Sequence, residues 1–239
     1  QHAEPALAFA AIKALNRLRT RVPLDALRPE LERLLDQQVR SWETERQRAH
    51  SFAPRPQGLM QRVLTQREQW ALERVFRVLG LLYDAEGIYD AYRALLGQDT
   101  RRRDLALEFL ATTLEAGPQS RVLPLLEAPK PTTSIPDGAE RAAVLFGYLK
   151  ERDALASAAA TAELTAEEFV AWRPESERLL GASGGMLLVE EALRPWYGGD
   201  MVEDASSGEK RLGAIQKIEH LGRVDIFSGL GAQELLVLA

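Results

Sequence analysis

The chain contains no cysteine, and that one absence removes disulfide staples, thiolate metal sites and a cysteine nucleophile together. It fits a reducing compartment. Aromatic residues make up only 7% and β-branched residues rarely cluster, so the alternation of half-buried strands is nearly missing. Long apolar runs are missing too. The longest, such as Val78 to Tyr83, fall far short of the ~20 residues that a bilayer-spanning helix requires, so no segment is expected to insert directly into a membrane. No basic stretch followed by an apolar core and a small-residue cleavage site opens the chain, which argues against a signal peptide and for a cytoplasmic location. Excess positive charge is also lacking. A net charge of -5 provides no global basic field for a polyanion, and nucleic acid is not an expected partner.

What remains is rich in Ala, Leu, Arg and Glu, a composition that favours helix, and 239 residues at 46% apolar content can bury one large core or two small ones. The first helical stretch is Pro5 to Arg19, with Ala11, Ile12, Leu15 and Leu18 on one face. Beyond Pro23, a long stripe of Leu27, Leu31, Leu34, Leu35, Val39 and Trp42 keeps helical spacing, and Glu30 with Arg33 and Glu43 with Arg46 stand one turn apart. "FAPRPQG", near 52 to 58, breaks the pattern. A third long helix is expected from Leu59 to Tyr83, burying Trp70 among others. Asp84 is placed to cap Ala85 to Leu96, Gly97 to stop it, and Asp99 to cap Arg101 to Glu115 before Gly117 and Pro118. "EAPKPTTSIP", 127 to 136, reads as a linker. Asp137 and Glu140 then have capping-box spacing for a helix to Lys150. An Ala-rich stretch to Glu163 follows, then helices over Ala166 to Leu180 and Met186 to Trp196, and a polar connection at 197 to 211.

Helix pairs joined by short turns suggest stacking, because a single amphipathic hairpin cannot bury its own apolar face. "DTRRRDLALEFLATTLEAG", 99 to 117, resembles the first helix of a HEAT repeat, with Asp99, Arg103, Ala106 and Leu110 at the matching positions and "SRVLPLLEAP" as its second helix. In such repeats the Asp and Arg link neighbouring turns. "IQKIEHLGRVDIFSGLGAQELLVLA" resembles the entry helices of a cyclic nucleotide-binding domain, through Leu221, Val224, Phe227, Leu230, Glu234, Leu235, Leu238 and Ala239. The Gly-Glu and Arg cassette that holds the cyclic phosphate would lie past Ala239. Taken together, and most clearly over 73 to 110, the chain is similar to the soluble C-terminal part of bacterial membrane proteins related to ADP/ATP translocases. That resemblance implies an excised connector on the cytoplasmic side, tethered to the inner membrane through an N-terminal domain outside this chain.

The expected fold is therefore all-α, an irregular α-solenoid of antiparallel, HEAT-like helix pairs with a C-terminal helical segment. Its expected parts are HEAT-like repeats at 1–128, degenerate repeats at 129–196, a connector at 197–211 and truncated nucleotide-domain entry helices at 212–239. Catalytic, metal and cofactor sites are not expected. His2, His50 and His220 are far apart without ligand-like partners, "GASGGM" lacks the P-loop Lys-Ser/Thr, and Glu190 and Glu191 are adjacent, a poor geometry for a carboxylate dyad. Candidate contacts are Arg101 and Arg102 in the "TRRRD" run, and Trp196 and Tyr197 at a helix end beside "GG". "AWRP" places Trp172 at a helix end as well. Phe227 and Leu235 need cover from the helices or from another chain. The expected function is a noncatalytic scaffold or connector whose partners are proteins or adjoining domains of the same polypeptide. The alternative is the signal-transmitting part of a cyclic nucleotide-sensing unit, with a cyclic nucleotide as partner only where that domain is present.

Overall fold

The computed structural model describes residues 5–18, 24–50, 58–127, 138–151, 153–182 and 217–218. Among the described residues there are nine α-helices, one short 3-10 turn and no strand, so the chain is all-α as expected. Helix α1 spans Pro5–Leu18, and the 3-10 turn Leu24–Leu27 leads into α2, Arg28–His50. There follow α3 at Leu59–Leu82, α4 at Ala85–Leu96, α5 at Thr100–Thr113 and α6 at Ala116–Glu127. After the segment at 128–137, α7 covers Gly138–Leu149, α8 Ala154–Glu163 and α9 Ala166–Ala182.

Several helix starts are written locally. The Asp84 carboxylate accepts the Gly87 N–H at 2.8 Å and that of Asp99 accepts the Arg102 N–H at 3.2 Å, each satisfying an orphan donor of the first turn. Asp153 does the same for Leu155 and Ala156. Thr165 and Glu168 form a full capping box: Thr165 Oγ1 accepts the Glu168 N–H while Glu168 Oε2 accepts the Thr165 N–H. The capping box expected at Asp137 and Glu140 begins on a residue outside those described. Gly97 stops α4 as expected, its N–H donating to Arg93 O and Ala94 O. One boundary differs. Gly117 and Pro118 do not close α5, which ends at Thr113; they lie in the first turn of α6, where a missing proline N–H would have had no helical acceptor anyway.

Several helix ends, by contrast, are closed from elsewhere. Arg46 of α2 donates to Leu125 O and Arg103 of α5 donates to Leu126 O, so two guanidinium groups meet the last carbonyls of α6. Arg141 of α7 likewise donates to Glu163 O at the end of α8. Placing cations on these carbonyls satisfies orphan acceptors and opposes the negative end of the helix dipole.

The chain forms two compact units, Gln1–Gln47 with Arg67–Thr132, and Arg48–Gln66 with Thr133–Ala239. In the first unit, the α2 stripe buries Leu35, Val39 and Trp42 against Val75, Phe76 and Leu79 of α3, and the same core continues through Ile88, Ala91, Ala106, Leu110 and Val122. Helix α4 packs on α5 and α5 on α6. Gly87 permits the first of these contacts, because a Cβ there would sit 2.7 Å from Cζ of Phe109. Arg74 is buried between α2 and α3 with only neutral hydrogen-bond partners, Gln38 Oε1 at 2.9 Å and Ser41 Oγ at 3.3 Å, and its burial lowers the pKa of the guanidinium.

In the second unit, α7 packs on α8, and residues 155 to 161 of α8 are all buried. The Ser157 hydroxyl donates to Tyr148 O and the Thr161 hydroxyl to Ser157 O, so the polar atoms of this enclosed helix are satisfied. Tyr148 is fully buried beneath Arg48, whose guanidinium lies 4.9 Å from the ring centre and pairs with Glu151 at 2.8 Å. Ile218 is fully buried in this same core.

Two tryptophans reverse their expected places. Trp70 is 39% exposed, because Ala71 and Arg74 take the inward face of α3 at that level. Trp172 is 3% exposed and lies within α9, which continues through Pro174. It stands one turn from Phe169, the two rings meet edge to face at 6.4 Å, and Val170 takes the solvent side.

Candidate functional site

Of the sequence-derived contact residues, Arg101 and Arg102 are among the described residues. Arg101 and Arg102 are exposed on the first turn of α5, where Arg102 pairs with Asp99 at 3.4 Å. Asp99 thus caps its own helix while Arg103, four positions on, reaches α6. Trp196, Tyr197, Phe227 and Leu235 lie outside the described residues.

The structure instead places a cleft of about 200 Å³ in the first unit, between α1, α3 and the start of α4. Its floor is small, made by Gly80 and Ala85. A Cβ on Gly80 would come to 3.5 Å from that of Ala85, so the space above this pair exists because both residues lack bulk. Aromatic rings form the wall. Phe76 and Tyr92 lie 5.3 Å apart between ring centres, and Tyr89, 56% exposed, stands 6.4 Å from Tyr92. Helical spacing explains the grouping, since Tyr89 and Tyr92 are one turn apart on α4.

The polar edge is fixed with little freedom. Asn16 Nδ2 donates to Ile12 O at 3.0 Å and to Arg77 O at 3.1 Å. Both amide hydrogens are thereby engaged, which leaves Oδ1 as an acceptor facing Gly80. Glu73 receives both Nε at 2.9 Å and Nη2 of Arg77 through one oxygen, Oε1. Burial, followed by the charge of Glu73, pushes the Tyr92 phenol up to about 12, so it remains a neutral hydroxyl at physiological pH. Among the described residues the cleft therefore offers π faces, two fixed acceptor atoms, two phenol hydroxyls and one internally neutralised cation.

Among the described residues, no group of three or more His, Asp or Glu side chains is arranged to hold a metal ion, and no helix is long and apolar enough to cross a membrane. No family model, curated protein or solved structure matches the chain. None of Asn16, Glu73, Tyr89 and Tyr92 is among the candidate residues of the sequence analysis. The usable signal was the short spacing of two tyrosines in "GIYDAY" behind a Glu-Arg pair at one-turn spacing.

A second charged cluster, in the other unit, is structural. Arg141 pairs with Glu168 while holding Glu163 O. Burial alone would raise the Glu168 pKa, but the Arg141 hydrogen bond, the Thr165 N–H and the Arg141 charge outweigh it and hold the carboxyl below its ordinary range. A depressed folded-state pKa adds stability above the unfolded value of about 4.3, and that contribution is lost as pH falls through the folded value. Glu168→Gln is accordingly expected to flatten the acid limb of the stability curve below pH about 4.3, measured by urea unfolding at several pH values. Equal acid slopes in both proteins would contradict this assignment.

Proposed function

We propose that the chain is a noncatalytic helical scaffold or connector that makes protein–protein or interdomain contacts, with its helices arranged as an irregular, HEAT-like α-solenoid of antiparallel pairs. Support for the arrangement comes from the succession of α4, α5 and α6 through short turns, each packed on the next. The observation that carries the function is the outward-facing Tyr89 beside an open, aromatic-walled cleft, with Leu96 exposed two turns farther along α4. Exposed aromatic and aliphatic side chains beside a preformed hollow are the usual core of a contact surface. On the resemblance stated above, the contact would lie on the cytoplasmic side of a membrane-tethered protein.

A photoreactive phenylalanine analogue placed at position 89 of the natural protein in its own cells tests this reading. The expected result is a discrete adduct with one protein or one adjoining domain, absent when the probe replaces Glu167, which is also exposed. No adduct at 89, or the same adducts at both positions, would overturn it.

A second reading, transmission of a signal from a cyclic nucleotide-sensing domain, draws support from Ile218. This residue belongs to the segment resembling that domain's entry and is fully buried in the core of the second unit. A displacement of that segment would be felt by Tyr148, Leu149 and α8. Calorimetry of a folded, C-terminally extended protein with a cyclic nucleotide tests it, and an absence of binding heat would reject it.

A further inference from the structure

We infer that the cleft of the first unit receives the basic side chain, Arg or Lys, of a partner polypeptide. This rests on the scaffold reading and specifies the chemistry of its partner. Three properties of the cleft select a cation. First, two acceptors on the half-buried edge lack a donor: among the described residues, neither Asn16 Oδ1 nor Glu73 Oε2 receives a hydrogen bond, and the Tyr89 and Tyr92 hydroxyls beside them can accept as well as donate. Neither can rotate away cheaply, because Asn16 is held by two donated bonds and Glu73 by Arg77. Second, the walls are the faces and edges of Phe76, Tyr89 and Tyr92, and aromatic faces attract positive charge. Third, Arg77, the one cation among the described residues that line the cleft, already directs two of its nitrogens to Glu73 Oε1.

The other occupant classes fit less well. An anion would meet the Glu73 carboxylate and the negative faces of the rings. A purely apolar side chain would cover two acceptors and leave them without water or donor, which is costly. A basic side chain lays its methylene stem on Gly80, Ala85 and the rings while its head donates to both oxygens. The net charge of -5 acts in the same direction at longer range. The cleft is open to solvent, and α4 continues past Tyr89 to the exposed Leu96, so there is room for the backbone of a protein segment rather than for a free amine alone.

The test is selection of a random dodecapeptide phage library on the folded chain, followed by affinity measurements on the enriched peptides. The expected result is a shared Arg or Lys, with binding about tenfold weaker when an Arg is replaced by citrulline, its uncharged isostere, or a Lys by norleucine. Tyr89→Ala and Glu73→Gln should weaken the same peptides by a similar factor, and circular dichroism would verify that both variants fold. Arg77→Gln supplies the sign: loss of a competing cation offsets loss of the hold on Glu73, so a basic peptide should bind at least as tightly, whereas an anion-accepting cleft would lose affinity. Peptides without a shared basic residue, or bound equally by all three variants, overturn the inference while leaving the scaffold reading intact. Failure of the adduct at position 89 would count against the scaffold reading itself.

Discussion

Replacing Leu110 by alanine is expected to lower stability by about 2–5 kcal/mol, seen as a lower urea midpoint at an unchanged slope. Leu110 is fully buried at the centre of the first unit's core, in the same cluster as Ile88, Ala91, Ala106 and Val122. Removing most of its side chain forfeits transfer free energy and leaves a hollow that neighbours from three helices cannot close together. Leu105 provides the control. It lies on the same helix with the same chemistry but is 57% exposed, so Leu105→Ala should shift stability by no more than about 0.5 kcal/mol. Comparable losses for the two substitutions would mean that the buried face of α5 has been assigned wrongly.

Enlarging Ala159 to leucine is expected to cost about 1–3 kcal/mol or more, for the opposite reason. Most helices of this size keep a solvent face, but residues 155 to 161 of α8 have none. Ala156, Ala158, Ala159 and Ala160 are all at zero exposure, with Leu145, Tyr148 and Leu149 of α7 in the same core. Close approach is possible because the side chains are small, and added carbon atoms must displace packed neighbours. Ala171→Leu on the exposed side of α9 introduces the same atoms where there is room, and should be nearly neutral. Thermal unfolding of both variants distinguishes an enclosed α8 from an ordinary Ala-rich surface helix, for which neither substitution would matter.

Much of the fold was legible because its signals are local. The spacing of Leu31, Leu35, Val39 and Trp42 identified the inward face of α2, and Asp84 and Asp99 marked the starts of α4 and α5 to within a residue. Trp70 and Trp172 were misplaced because periodicity defines a stripe but not its width. At Trp70 the small Ala71 occupies the inner face. Trp172 was placed at a helix end although it falls within the expected span Ala166 to Leu180, and it lies on the inward face of α9. The enclosure of α8 was not legible either, since alanine is equally at home on a surface and in a core. The cleft was the least legible feature. It depends on Asn16 meeting the backbone of Arg77, a contact spanning 61 positions that no short window of sequence contains.

The contrast between helix starts and helix ends bears on where the instructions for each element are stored. Asp153 sits beside the turn it opens, whereas the carbonyl of Glu163 that closes the same helix is taken by Arg141, 22 positions upstream. An excised peptide covering 153 to 163 would carry its own first command and lack its last. It would know where to begin winding and fray at the other end until α7 arrived. The length of α8 is thus completed by assembly, whereas α4 carries both its opening Asp84 and its closing Gly97 within its own stretch of chain.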